Sequence, residues 1–275
     1  MGAAGRLEFA MTSKNTVSTL RGRNRATTGP GGVPASREIA RCNTVCATCE
    51  LRELCVPCCG LTRPQKDVAE RLVFHRLRVR RGEHLYRTGN AFTSLYAVRS
   101  GFFKSMAVLE SGREQVTGFS MTGEVLGMDG IGPGKHACDT VALEDSEVCA
   151  IPFVALQELA HEIPVLQHHF RKMMSREIVR EHGMLLQLGS MSAEERVAMF
   201  LLDLSRRFAA RGHSASEFNL RMKRVEIASY LGLQLETVSR TFSRFQDAGL
   251  IGVRQKSICI RNSDGLMRVM GRETD

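Results

Sequence analysis

Eighteen residues, Cys42 to Cys59, carry six of the chain's nine cysteines. The spacing is Cys42-x3-Cys46-x2-Cys49-x5-Cys55, followed by Cys58 and Cys59. A cysteine buried singly acts as a small hydrophobe, and such filler does not crowd in this way. Thiols at this density pair as disulfides, hold zinc, or hold an iron–sulfur cluster. Disulfides persist in oxidising compartments, and no apolar secretory stretch is evident. A cytoplasmic setting is therefore expected. Zinc bound by four thiolates usually takes two close cysteine pairs separated by a longer loop. Here three or four thiols fall in one short arc, which suits a cubane whose ligands come from a tight loop. Three local thiolates leave a fourth ligand to be supplied from elsewhere, and zinc stays open as the alternative.

The rest of the chain must present those thiols. Its 275 residues suggest about two domains, and 43% hydrophobic residues can fill a sizeable core. No apolar run approaches the ~20 residues of a membrane span. Lys plus Arg number 38 against 29 acids, a net charge of +9, which favours a polyanionic partner such as nucleic acid. No Trp and three Tyr argue against a stacking surface for single strands.

In order, residues 1–40 read as a disordered leader, rich in Gly and Pro and dotted with Arg21, Arg23 and Arg25. Residues 41–60 are the cysteine segment. Residues 61–160 begin with a short amphipathic helix, Arg63 to Leu72. Short Val-, Leu-, Phe- and Tyr-rich runs then alternate with Gly82, Gly89, Gly101, Gly112, Gly118, Gly123, Gly127 and Gly130. That punctuation predicts a small β-barrel or jelly roll. Cys149 falls in its last strand, 94 residues after Cys55, where a lone cysteine would by default be core filler.

Residues 161–190 are expected to form one long helix from Pro164 to about Leu188. A heptad-like seam runs along Gln167, Arg171, Met174, Ile178, Glu181, Leu185 and Leu188. A second stripe, Leu166, Phe170 and Met173, can face the chain's own barrel. Two stripes suggest one partner in cis and one in trans, so a homodimer is expected. Glu181 sits inside the seam, where a charge costs stability, so the dimer should be marginal.

Residues 191–275 open with the capping box Ser192-x-x-Glu195 and a helix from Ala193 to Ala210. A polar linker follows to about Asn219. Ile227, Leu231, Leu233 and Val238, with Gly232 at the turn, give a helix-turn-helix. A hairpin around Arg254-Gln255-Lys256 makes a wing. On the second helix Glu236, Ser239 and Arg240 stand at i, i+3 and i+4, on one face. Such a helix enters the major groove. There Glu accepts from exocyclic amines, Arg donates to guanine, and Ser suits either. Arg244, Lys223, Arg224 and Lys256 are assigned to phosphate. A solvated Glu236–Arg240 ion pair is the plainer alternative.

Cysteine loop, β-barrel, long helix and winged helix-turn-helix, in that order, resemble the CRP/FNR regulators, most of all the FNR type. The likeness runs from about Cys42 to residue 265. Its carriers include Cys46-x2-Cys49-x5-Cys55, Leu95-Tyr96-Ala97-Val98-Arg99-Ser100-Gly101, Ala193-Glu194-Glu195-Arg196 and Glu236-Thr237-x-Ser239-Arg240. The resemblance implies an α+β fold: an N-terminal β-roll of the cyclic-nucleotide-binding kind, a dimerisation helix and a C-terminal winged helix-turn-helix domain. It implies that Cys46, Cys49, Cys55 and Cys149 bind a [4Fe–4S] cluster, with Cys42 an accessory residue and Cys58 and Cys59 outside the pattern. It also implies a non-enzymatic, oxygen-sensing transcription regulator that recruits RNA polymerase. Glu236, Ser239 and Arg240 would read TTGAT-type half-sites in double-stranded DNA. Thr241 stands where the family carries an aliphatic residue.

Cyclic-nucleotide receptors follow a Gly-Glu pair with an Arg for the cyclic phosphate. Here Gly123-Glu124 is followed by Lys135 and His136 instead, poor substitutes for a bidentate Arg, so no nucleotide ligand is expected. Two rivals are a redox enzyme, which would leave the helix-turn-helix without purpose, and a zinc-stabilised, redox-insensitive DNA-binding protein of the same fold.

Overall fold

Strand β4 (Ser94–Ser100) shows how the sequence builds this molecule. Leu95 and Ala97 point to one face and Val98 to the other, and all three are at most 1% exposed. Burial on both faces explains why the run is apolar without interruption. The structure, a computed structural model, describes residues 39–41, 75–108 and 112–271. The leader up to residue 38, Cys42 to Cys59 and the expected helix at Arg63 to Leu72 lie outside the described residues.

Two sheets form the β-roll. The first has the order β1–β2–β9–β4–β7, with β1 at Ile39–Arg41, β2 at His75–Val79, β7 at Val125–Leu126 and β9 at Ser146–Pro152. The second has the order β3–β8–β5–β6, with β3 at His84–Tyr86, β5 at Phe102–Val108, β6 at Glu114–Met121 and β8 at Asp139–Ala142. Val79, Leu85, Tyr86, Val98, Phe103, Leu126, Ala142 and Val148 fill the space between them. Gly118 is not turn punctuation. It lies inside β6 opposite Ser105, beside a register shift, the usual place for a glycine within a strand. Strand β1 crosses the boundary expected at residue 40 and pairs with β2.

Helix α1 (Phe153–Glu162) follows β9 directly and closes the outer face of the first sheet. Pro164, which lacks a donor the first turn would leave unused, opens α2 (Pro164–Ser190). Leu166 is 2% exposed against the roll, and the Phe170 ring lies 6.0 Å from that of Phe153. The cis-facing stripe is thus where the spacing puts it.

Helix α3 (Ala193–Ala209) starts on the capping box: Ser192 Oγ accepts from the Glu195 amide, and Glu195 Oε2 accepts from the Ser192 amide at 2.6 Å. The bond from the Ser192 amide, and then the Ser192 hydroxyl, favour the ionised form, so the Glu195 carboxyl lies below the usual range. The helix-turn-helix is α4 (Arg224–Leu231) and α5 (Leu235–Asp247). Gly232 between them has φ +62, and a Cβ there would meet Leu188 Cδ2 at 3.1 Å. The expected polar linker contains a strand, β10 (Glu217–Asn219), which pairs with β12 (Ser257–Ile260) of the wing, itself paired with β11 (Ile251–Arg254). Helix α6 (Ser263–Val269) ends the domain.

Candidate functional site

The described part of the thiol site is built by three adjoining strands. Cys149 of β9 lies opposite Ala97 of β4 on one side and Arg76 of β2 on the other. Its side chain, 9% exposed, packs on the outer face among Leu95, Ile151, Phe153 and Leu156. Arg41, at the end of β1, pairs with His75, and His75 pairs with Ala150. Strand β1 therefore ends at Arg41 and β2 begins at His75, both level with Ala150, the residue after Cys149. Two strand spacings, roughly 10 Å, separate Arg41 from Ala150. Cys46, Cys49 and Cys55 lie outside the described residues.

Cys138 lies elsewhere, just before β8. Burial, and then the Asp129 carboxylate, push its thiol up to about 12. It stays protonated and donates to Asp129 Oδ2 at 3.4 Å, so it is no ready thiolate. Burial also pushes the Asp129 carboxyl up, but hydrogen bonds from His136 and the Ala137 amide prevail and hold it below the usual range.

The same corner bears on nucleotide binding. His136 is 2% exposed, stacks on Tyr86 with ring centroids 3.7 Å apart, and meets Asp129 through Nδ1. Lys135 points to solvent. The Glu124 carboxylate is occupied: Arg207 Nη2 donates to Oε2 at 2.7 Å and Arg211 Nη2 to Oε1 at 2.6 Å. Arg180 of α2 stands 3.9 Å away. Burial opposes the charge on Arg207, yet Glu124 more than offsets it and raises that pKa.

These bonds dock the C-terminal domain on the roll. Beside them Lys104 of β5 reaches Glu226 of α4 at 2.8 Å, both largely buried. The Val116 amide donates to Ser229 Oγ at 2.9 Å. Phe119 packs between Phe200 and Tyr230, and burial pushes the Tyr230 hydroxyl up to about 12. Sequence reasoning missed this junction, because Glu124 and Arg207 are 83 residues apart and share no motif. It also missed Arg196, whose guanidinium donates to the carbonyls of Leu188 (2.8 Å), Met191 (2.9 Å) and Leu231 (3.0 Å). One side chain thereby joins the end of α2 to the helix-turn-helix.

Helix α5 buries Val238, Thr241, Phe242 and Phe245 and exposes the opposite face. Thr241 is 4% exposed and its hydroxyl donates to the Thr237 carbonyl at 2.9 Å, so it packs without a stranded donor. Glu236 and Arg240, with side chains 73% and 74% exposed, form an ion pair at 2.5 Å. Ser239 lies beside them and bonds back to the Leu235 carbonyl. Such an exposed pair is worth about 0.3–0.5 kcal/mol, less than the roughly 1–3 kcal/mol of one good base contact, so DNA can redirect both groups. Lys223, at the start of α4, and Lys256, at the wing tip, are exposed. Arg244 pairs with Glu194. Arg224 turns inward: its guanidinium lies 3.5 Å from the Phe242 ring centroid, and burial lowers its pKa to about 10. A phosphate contact there requires it to leave that ring.

On α2, Arg171, Met174, Ile178, Glu181 and Leu185 are exposed. Leu188 is half-buried and packs beside Gly232. The apolar face is wider than the seam drawn from spacing. Val179 and Leu186, each 66% exposed, stand next to Ile178 and Leu185. Their seven-residue separation was the signal that could have found them.

Comparison with known proteins follows the same division. Residues 76–162 match the cyclic nucleotide-binding domain family, and residues 195–269 the Crp-like helix-turn-helix domain family. The chain is 44% identical to the transcriptional regulatory protein btr of Bordetella pertussis, over 88% of this chain and 98% of the other. It is 41% identical to the fumarate and nitrate reduction regulatory protein of Escherichia coli, over 87% and 97%. The solved structure of FixK2 from Bradyrhizobium japonicum superposes with a TM-score of 0.67 at 29% identity, covering 72% of this chain and 98% of that one.

Proposed function

Because the chain belongs to the CRP/FNR family of DNA-binding transcription regulators, we propose that it is an oxygen-responsive member, with Cys46, Cys49, Cys55 and Cys149 as ligands of a [4Fe–4S] cluster that favours the DNA-binding homodimer without oxygen. One observation carries this reading: β1 ends just before the cysteine segment and β2 begins at His75, opposite Ala150 and next in sequence to the register partner of the buried Cys149. The donors suit such a group, since a thiol set among Leu95, Ile151 and Phe153 is shielded from water, and exposure is one of the levers on cluster lability. When bound, the cluster supplies an oxygen-labile cross-link between the cysteine segment and β9.

The chain's own residues do the rest. Cys149 lies four residues before α1, and α1 leads through Ile163 into α2. A constraint on β9 therefore bears on the seat of the dimer helix. In the dimer Arg171, Met174, Ile178, Glu181, Leu185 and Leu188 meet their counterparts, with Val179 and Leu186 widening the seam. Glu181 keeps the association marginal, so a modest bias decides it. Pairing places two α5 helices about 34 Å apart, one turn of DNA. Each reads a TTGAT-type half-site through Glu236, Ser239 and Arg240, while Lys223, Arg224, Arg244 and Lys256 serve phosphate. RNA polymerase is the expected downstream partner. Glu124 and His136, already occupied by Arg207, Arg211, Asp129 and Tyr86, support the reading that no cyclic nucleotide is bound. Among the described residues no helix is long and apolar enough to cross a membrane, and the site of action is taken to be the cytoplasm.

Protein purified without oxygen tests this directly. Brown protein containing iron and sulfide, which bleaches in air and then sediments as a monomer, supports it. Colourless protein with stoichiometric zinc, indifferent to air, rejects it in favour of a structural metal site.

A further inference from the structure

Beside Cys149 stands a charged side chain with no part in DNA contact or domain docking. Arg76 and Cys149 are register partners in β2 and β9, and residues directly opposite in an antiparallel pair carry their side chains on one face, about 5 Å apart at Cβ. Leu77 and Val79 turn into the roll, so Arg76 and Arg78 share the outer face with Cys149 and Glu147. The two arginines differ. Arg78 is exposed, and its Nε donates to Glu147 Oε1 at 3.3 Å, while Arg99 lies 3.6 Å from the other oxygen. Glu147 is thus occupied by two guanidinium groups. Arg76 is half-buried, and its Nε is buried with no hydrogen-bond partner among the described residues. A stranded charged donor is expensive, and folds rarely leave one without a use.

The thiol it accompanies is neutral when protonated and anionic as a ligand. Four thiolates around a [4Fe–4S] core leave a net negative charge, which an apolar pocket tolerates poorly without a cation. We propose that Arg76 is a supporting residue of the cluster site: its positive charge and open Nε–H stabilise the Cys149 thiolate and tighten the hold on iron. This rests on the cluster reading above.

The full chain, reconstituted without oxygen, is compared with Arg76→Gln and Arg76→Lys. The readouts are the rate at which cluster absorbance is lost to a strong iron chelator under argon, the reduction potential, and the unfolding midpoint of the iron-free protein. Arg76→Gln should lose the cluster about tenfold faster, as loss of an outer-shell partner does elsewhere, and at a lower potential, with its iron-free midpoint unchanged. Arg76→Lys should stay near the parent. A glutamine variant that keeps the parental rate and potential overturns the proposal. So does equal acceleration in both variants, or a lowered iron-free midpoint, since each shows lost packing rather than lost charge. A parent that takes up no iron overturns the cluster reading and this inference together, whereas a loaded parent with indifferent variants overturns this inference alone.

Discussion

The β-roll meets the rest of the chain on two faces, one wholly apolar and one that adds ion pairs. Around Cys149 the contacts with α1 and α2 are apolar: Leu95, Ala97, Ile151, Phe153, Leu156 and Leu166. Around β5, β6 and Glu124 the contacts with α3 and α4 add ion pairs to an apolar bed: Lys104–Glu226, and Arg207 and Arg211 on Glu124, beside Phe102, Val116, Phe119 and Met121 packed with Phe200 and Tyr230. The first face makes charge costly, so whatever happens at a thiol there is felt strongly. The second adds directional, largely buried ion pairs to its apolar packing, and these fix the angle at which the C-terminal domain sits. The faces are close. Cys149 pairs with Ala97, Ala97 pairs with Val125, and the Val98 amide bonds the Glu124 carbonyl at 2.8 Å.

The sharpest way to break this contrast is at the apolar face. Cys149→Ser should abolish iron and sulfide binding and with it dimerisation and operator binding, read by metal analysis and sedimentation; a variant that still pairs and still responds to air refutes the scheme. At the ionic face, Glu124→Gln leaves two largely buried guanidinium groups without their carboxylate and should cost about 3 kcal/mol in denaturant unfolding. An unchanged midpoint would make that junction incidental. Gly232→Ala forces a side chain into the left-handed region and against Leu188, and should cost roughly 1–2 kcal/mol in the same measurement. Away from both faces, Arg240→Ala should weaken palindromic DNA by about 1–3 kcal/mol per half-site and non-specific DNA far less. Equal loss on both duplexes, in titrations at fixed salt, assigns Arg240 to phosphate. The smallest effect is expected from Glu181→Ala, which should strengthen dimerisation in air by about 1 kcal/mol or less in sedimentation equilibrium.

Local features were legible in the sequence because their causes are local. Glycine punctuation marked the roll, three- and four-residue spacing marked α2 and α5, and the capping box marked α3. The hydroxyl of Thr241 finds its acceptor one turn back. Features made by distant residues left no such trace. Strand β10 hides in a polar linker because its partner β12 lies some forty residues on. The grip on Glu124 and the three carbonyls held by Arg196 depend on the packing of whole elements, which no spacing encodes. Arg224 is the converse case: a basic residue at the start of α4 was legible as a phosphate candidate, but not that its guanidinium rests on the Phe242 ring and must leave it to make that contact.

Arg41 and His75 face each other across β1 and β2, so the polypeptide between them is anchored at both ends. The entropy of closing that loop is met by the fold itself, whether or not iron is present. Under the cluster reading, thiols released from iron would stay tied to that anchor, at a raised local concentration for reloading. On that same reading, repair would be a refilling of a tethered site rather than a fresh encounter, and one polypeptide would serve through repeated cycles of loss and renewal.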